Sequence, residues 1–98
     1  MHEYQKIKSS IAELLSKVGY EEDKPDTEVD YCGSMHCIYA SGTKRFMIQW
    51  DGEEGFGSVE YWQGDNIWVM LEPIVPEGTE QEFTNNLTAL CQVVKAQL

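Results

Sequence analysis

Residues 35–72 read MHCIYASGTKRFMIQWDGEEGFGSVEYWQGDNIWVMLE, and this stretch decides the fold. Short runs rich in aromatic, β-branched and other apolar residues are broken by glycine-containing segments, the pattern of strands joined by turns. Four strands are expected, near Met35–Ala40, Lys44–Trp50, Ser58–Gln63 and Ile67–Glu72. The connectors are Ser41-Gly42-Thr43, then Asp51 to Gly57 with its three glycines, then Gly64-Asp65-Asn66. All are of hairpin length, which makes successive strands antiparallel neighbours in a meander. Pro73 cannot donate to a strand ladder, so it closes the fourth strand or marks a sheet edge.

Outward from this centre, both flanks read as helices. Tyr4, Ile7, Ile11, Leu14, Leu15 and Val18 recur at steps of three and four, and Gly19 stands where a left-handed helix end belongs. At the other side, Thr79 followed by Glu82 makes a capping box, with Glu80 also in the first turn. Phe83, Leu87, Leu90, Cys91, Val94 and Leu98 then form an apolar stripe. Between the first helix and the strands lie six acids, Glu21, Glu22, Asp23, Asp26, Glu28 and Asp30, against Lys24 and interrupted by Pro25. That segment reads as a solvated, extended loop. The expectation is one α+β domain over residues 1–98, a four-stranded antiparallel meander with the N- and C-terminal helices packed on one face.

Alternation sorts each strand into two faces. Phe46, Ile48 and Trp50, Val59 and Tyr61, and Ile67, Val69 and Leu71 form the set the helices should cover. Met47, Trp62, Trp68 and Met70 then fall on the opposite face, edged by Arg45, Glu60 and Glu72. An apolar patch with a polar rim, rich in Trp and Met, marks a contact surface. A slip of one residue at the turn around Gly64 would exchange the faces of the last strand and make Trp68 and Met70 core residues instead.

Seventeen acids against seven Lys and Arg give the 98-residue chain a net charge of −10. Such a surface repels phosphate backbones and anionic lipid, so nucleic acid and membrane are not expected partners, whereas a basic protein is. With 42 % hydrophobic residues the composition is that of a globular chain rather than a disordered one. No apolar run approaches the roughly 20 residues of a membrane span. The opening Met1-His2-Glu3-Tyr4 leads directly into an amphipathic pattern without the features of a signal peptide. Three cysteines, an odd number, fit a reducing compartment, and a cytoplasmic location is expected. Asn86-Leu87-Thr88 matches a glycosylation acceptor but falls inside the second helix.

Candidate chemistry is sparse. Cys32, His36 and Cys37 have metal-ligand side chains, but zinc needs four ligands and no second close pair exists. On a strand His36 and Cys37 also point to opposite faces. Cys32 and His36 stand four residues apart, roughly 13 Å along an extended chain, too far for a nucleophile and its base. Asp26, Glu28 and Asp30 alternate as calcium ligands can, but Tyr31 occupies the position of the required loop glycine. The glycine clusters join strand to strand and open no helix, so they cradle no phosphate. No catalytic residue, metal or cofactor is assigned.

The reading is therefore of a non-enzymatic, acidic protein-binding domain, an adaptor, inhibitor or immunity-type protein, with Met47, Trp62, Trp68 and Met70 as its binding residues. A homodimer formed through that face is the simplest outcome of leaving it open. In its order of elements the chain resembles the acidic, dimeric secretion chaperones, although their extra middle helix is missing; that likeness implies a dimer. A third reading is a small-molecule binder that stacks a cationic or aromatic ligand on Trp62 and Trp68.

Overall fold

A computed structural model describes residues 2–98; Met1 lies outside them. The chain runs α1 (Glu3–Ser16), β1 (Glu21–Glu28), β2 (Met35–Ser41), β3 (Lys44–Asp51), β4 (Phe56–Trp62), β5 (Trp68–Pro76) and α2 (Glu80–Gln97). The strands form one antiparallel sheet in chain order, β1-β2-β3-β4-β5. The α+β class and the meander agree with the sequence reading, but the sheet has five strands rather than four.

The additional strand is the acidic segment expected to be a loop. β1 pairs through Glu21↔Ala40, Glu22↔Tyr39, Lys24↔Ile38, Thr27↔His36 and Glu28↔Met35. It is an edge strand whose residues are exposed apart from half-buried Thr27, which suits a charged composition. Pro25 falls within the register shift between Lys24 and Thr27, where a missing N–H is tolerated.

α1 then fastens β1 from the helix side. Lys8 Nζ lies 2.7 Å from both Glu22 Oε2 and Asp26 Oδ1. The Tyr4 hydroxyl donates to Asp26 Oδ1 at 2.8 Å, and Gln5 Nε2 donates to Asp26 Oδ2 at 3.3 Å. Burial works to raise the Asp26 carboxyl, but the hydrogen bonds from Lys8, Tyr4 and Gln5 outweigh it and hold the group below its ordinary range. A depressed carboxylate contributes stability above its unfolded value, near 3.9, and loses it as pH falls through the folded value. β1 should accordingly loosen from α1 below about pH 4. Cross-strand Overhauser contacts between β1 and β2 should fade there before those between β3 and β4. Loss of all strand pairs together would contradict a local clamp.

Each helix end is built by local chemistry. Tyr20 N donates to Leu15 O at 3.0 Å and Gly19 N to Ser16 O at 3.3 Å, the paired bonds of a Schellman termination, with Gly19 at φ +91°. Val18 lies past this end and is 53 % exposed, so the apolar stripe of α1 stops at Leu15, and Leu14 is only half-buried. At the start of α2, Glu82 N donates to Thr79 Oγ1 at 3.1 Å, as the capping box implies. Thr79→Ala should cost about 1 kcal/mol in denaturant unfolding. An unmoved midpoint would show that the cap carries no weight.

The registers arrange side chains in rows across the sheet. Tyr39, Phe46, Tyr61 and Val69 make one row of the helix-covered face, and Cys37, Ile48, Val59 and Leu71 the next. Apart from half-buried Val69, and with Tyr61 at the margin, these meet Tyr4, Ile7, Ile11 and Leu15 of α1 and Phe83, Leu90 and Val94 of α2 in one cluster. Both helices thus cover the same face. Leu87 and Cys91 only flank the cluster, and Leu98 lies beyond the helix, 43 % exposed. Ile67, expected in the core set, sits in the turn before β5 and is exposed. β5 does not stop at Pro73 but runs on to Pro76. It is the second edge of the sheet, and Pro73 falls where Leu71 and Val75 flank a register shift against Val59 and Gly57.

A candidate protein-binding face

The face away from the helices carries three rows. Lys24, Ile38, Met47, Glu60 and Met70 form the central row. On one side of it Ala40 pairs with Arg45, and Trp62 pairs with Trp68. On the other side Thr27, His36, Gln49 and Ser58 lie in line. Met47, Trp62, Trp68 and Met70 thus share this face, with Trp62 opposite Trp68 and Glu60 standing between Met47 and Met70.

The register that puts them there is set by the β4–β5 turn. Ile67 N donates to Gly64 O at 2.9 Å, with Asp65 at φ 51° and Asn66 at φ 61°. Two consecutive left-handed residues make a type I′ turn, whose twist suits a tight hairpin, and Asp and Asn tolerate that conformation best after glycine. The slip that would have buried Trp68 and Met70 does not occur.

Met70 is 40 % exposed, and Met47, Trp62 and Trp68 are half-buried. Part of the cover on Trp62 comes from Arg45, whose guanidinium lies 5.9 Å from the ring centroid. In the middle of the face stands one carboxylate. Glu60 accepts from Gln49 Nε2 at 2.9 Å, yet burial outweighs that bond and raises its pKa. Glu72, expected at the rim, is exposed beside Pro73.

Other sequence candidates separate. Cys37 is buried in the core row, while His36 lies on the open face, so the two cannot share a ligand. Cys32 is exposed in the β1–β2 connection, and all three cysteines are free thiols. Glu22, Asp26 and Cys37 bring potential ligand atoms within 4.8 Å of one another. The Lys8 ammonium is bonded to both carboxylates, however, and a cation there would face a resident positive charge. Lys8 stands off the apolar stripe of α1, and its contacts are invisible to periodicity because they depend on where β1 lies.

Two concavities flank these features. A groove of about 740 Å³ runs between α1 and α2, lined in part by Lys6, Phe83, Leu87 and Cys91. A second, of about 330 Å³, lies at the β3–β4 hairpin end of the open face, over His36, Gln49 and Ser58. Nothing in the spacing of Gln49 and Ser58 reveals that the β1–β2 connection curls over them. That curl is pinned: Gly52 N donates to Ser34 Oγ at 2.8 Å, and Gly52 packs directly on the Cys32–Gly33 backbone.

No protein family, curated protein or solved structure matches this chain. No helix of the described residues is long and apolar enough to cross a membrane.

Proposed function

We propose that this chain is a non-enzymatic protein-binding domain that uses the helix-free face of its sheet to engage a basic protein partner. The observation that carries the reading is the grouping of Met47, Trp62, Trp68 and Met70 on that face. Apolar surface left in water costs roughly 25 cal/mol per Å², so a patch of this kind favours an occupant. The net charge of −10 selects basic occupants and speeds their encounter. Strand addition is a poor alternative route, because β1 offers a charged edge interrupted by Pro25, and β5 carries Pro73 and Pro76.

The homodimer is the second reading, and one observation favours it. This face mixes Lys24 and Arg45 with Glu21, Glu60 and Glu72, so two copies meeting here bring both signs together. Stacking of a small cation on Trp62 has less support, since Arg45 already lies over that ring.

Trp62→Asp tests both. The variant should keep its circular dichroism while losing capture of a basic partner, a capture that weakens as salt is raised. If the homodimer is the true assembly, light scattering should instead show the wild type converting from dimer to monomer on substitution, with little salt dependence. A Trp62→Asp chain that unfolds, or one that associates as before, would remove the face from the argument.

A further inference from the structure

The concavity at the hairpin end of the open face has the chemistry of a cation site. Its residues include no Lys or Arg, and three acids, Asp30, Asp51 and Glu53, border it. Asp30 Oδ1 accepts from the backbone of Cys32 and Ser34, at 2.9 and 3.2 Å. Asp51 Oδ1 accepts from Glu53 N and Glu54 N, at 3.0 and 2.9 Å. Each carboxylate is therefore held in place through its Oδ1. Hydrogen bonds from Ser34 and Cys32 keep the Asp30 carboxyl below its ordinary range, so it stays charged.

A second observation is independent of the acids. Ser58 lines the floor and is 0 % exposed, and its Oγ has no hydrogen-bond partner. His36 Nε2, in the same row, is likewise buried and unpaired. Polar atoms sealed without partners are costly and uncommon in folded proteins, and they mark places where a hydrogen-bonding group is missing. Burial, and to a lesser degree Lys24 on β1, depress the His36 pKa, so the ring is neutral near pH 7 and does not repel a cation. Phe56 and Met70 supply the apolar walls.

We propose that this concavity receives the guanidinium of an arginine side chain presented by the protein partner. Acids on two sides, Asp30 in the β1–β2 connection and Asp51 and Glu53 at the β3–β4 hairpin, suit a planar group with five spread donors better than a compact ammonium. The Phe56 ring offers the flat apolar surface on which a guanidinium stacks. Met70 belongs both to this wall and to the Met47 row, so the arginine site continues the apolar patch. Two residues of strand separate adjacent rows, roughly 6.8 Å, which places an extended partner's arginine two positions from a side chain resting on Met47.

This inference rests on the binding-face reading, and its test separates the two. The probe is N-acetylarginine methylamide, titrated into the ¹⁵N-labelled chain, with the uncharged citrulline analogue as control. Amides of His36, Gln49, Phe56 and Ser58 should shift with arginine and not with citrulline. Asp51→Asn, which keeps the turn acceptor and removes the charge, should weaken the effect about ten-fold. Trp62→Asp should leave the titration unchanged. Equal response to both probes, shifts confined to the groove between α1 and α2, or no shifts at all would overturn the site. If the titration fails while Trp62→Asp still abolishes partner capture, the arginine site alone falls. If the arginine shifts appear but Trp62→Asp captures its partner as before, the site stands and the tryptophan face falls.

Discussion

Replacing Leu90 by Ala should lower the stability of the fold by about 2–5 kcal/mol, the range for emptying a fully buried leucine position. Leu90 is 0 % exposed and belongs to the cluster that joins α2 to Ile11 of α1 and to Ile48 and Val59 of the sheet. Truncation there removes apolar burial and leaves a cavity between two layers that cannot collapse independently. In a chain of this size each kcal/mol moves Tm by about 4–8 °C, so the melt should fall by about 10 °C or more. Leu87→Ala is the internal control. Leu87 only flanks the cluster, and its truncation should cost distinctly less. Equal losses at the two positions would mean that α2 is rotated from the orientation described.

Gly52→Ala should be the most damaging small change outside the core. A Cβ at residue 52 would fall far inside van der Waals contact of the Cys32 carbonyl, and the obstructing atoms are backbone rather than a side chain able to swing away. Overpacking of this kind costs about 1–3 kcal/mol. It should also part Gly52 N from Ser34 Oγ, bonded at 2.8 Å, and free the connection between β1 and β2. Ser34→Ala deletes the same bond without the collision and should cost only about 1 kcal/mol. Denaturant titrations that gave equal losses for the two variants would show that the hydrogen bond, not the close approach, pins the connection.

Much of this architecture was legible in the residues. Alternation in Phe46, Ile48 and Trp50 and periodicity in Ile7, Ile11 and Leu15 report burial directly, because burial is what selects them. The faces of β3 and β4 followed from the same logic, and so did the company of Met47 with Trp62 and Met70. β1 was hidden because an edge strand exposed on both sides is under no pressure to alternate. Its five acids and Pro25 describe its solvent, not its backbone. What holds it is a set of long-range contacts from Lys8, Tyr4 and Gln5 to Asp26, and no local pattern encodes partners some twenty residues apart. The concavity was hidden for a related reason: His36, Gln49 and Ser58 come from three strands, and the loop that walls them in is placed by a contact between Ser34 and Gly52.

The strictly sequential order of the strands also governs how quickly the chain can find this state. Each strand pairs with the one just before it across a short connection, so every closure in the sheet is a local event with a small entropy cost. Topologies dominated by such near-neighbour pairings fold faster than Greek-key sandwiches of similar stability. The exception is the meeting of the two helices, which lie at opposite ends of the sequence and join over the sheet. α2 packs chiefly on β5, the strand just before it, so that part of the cover is also local. The tryptophan face, built from β3, β4 and β5 alone, needs only the local closures.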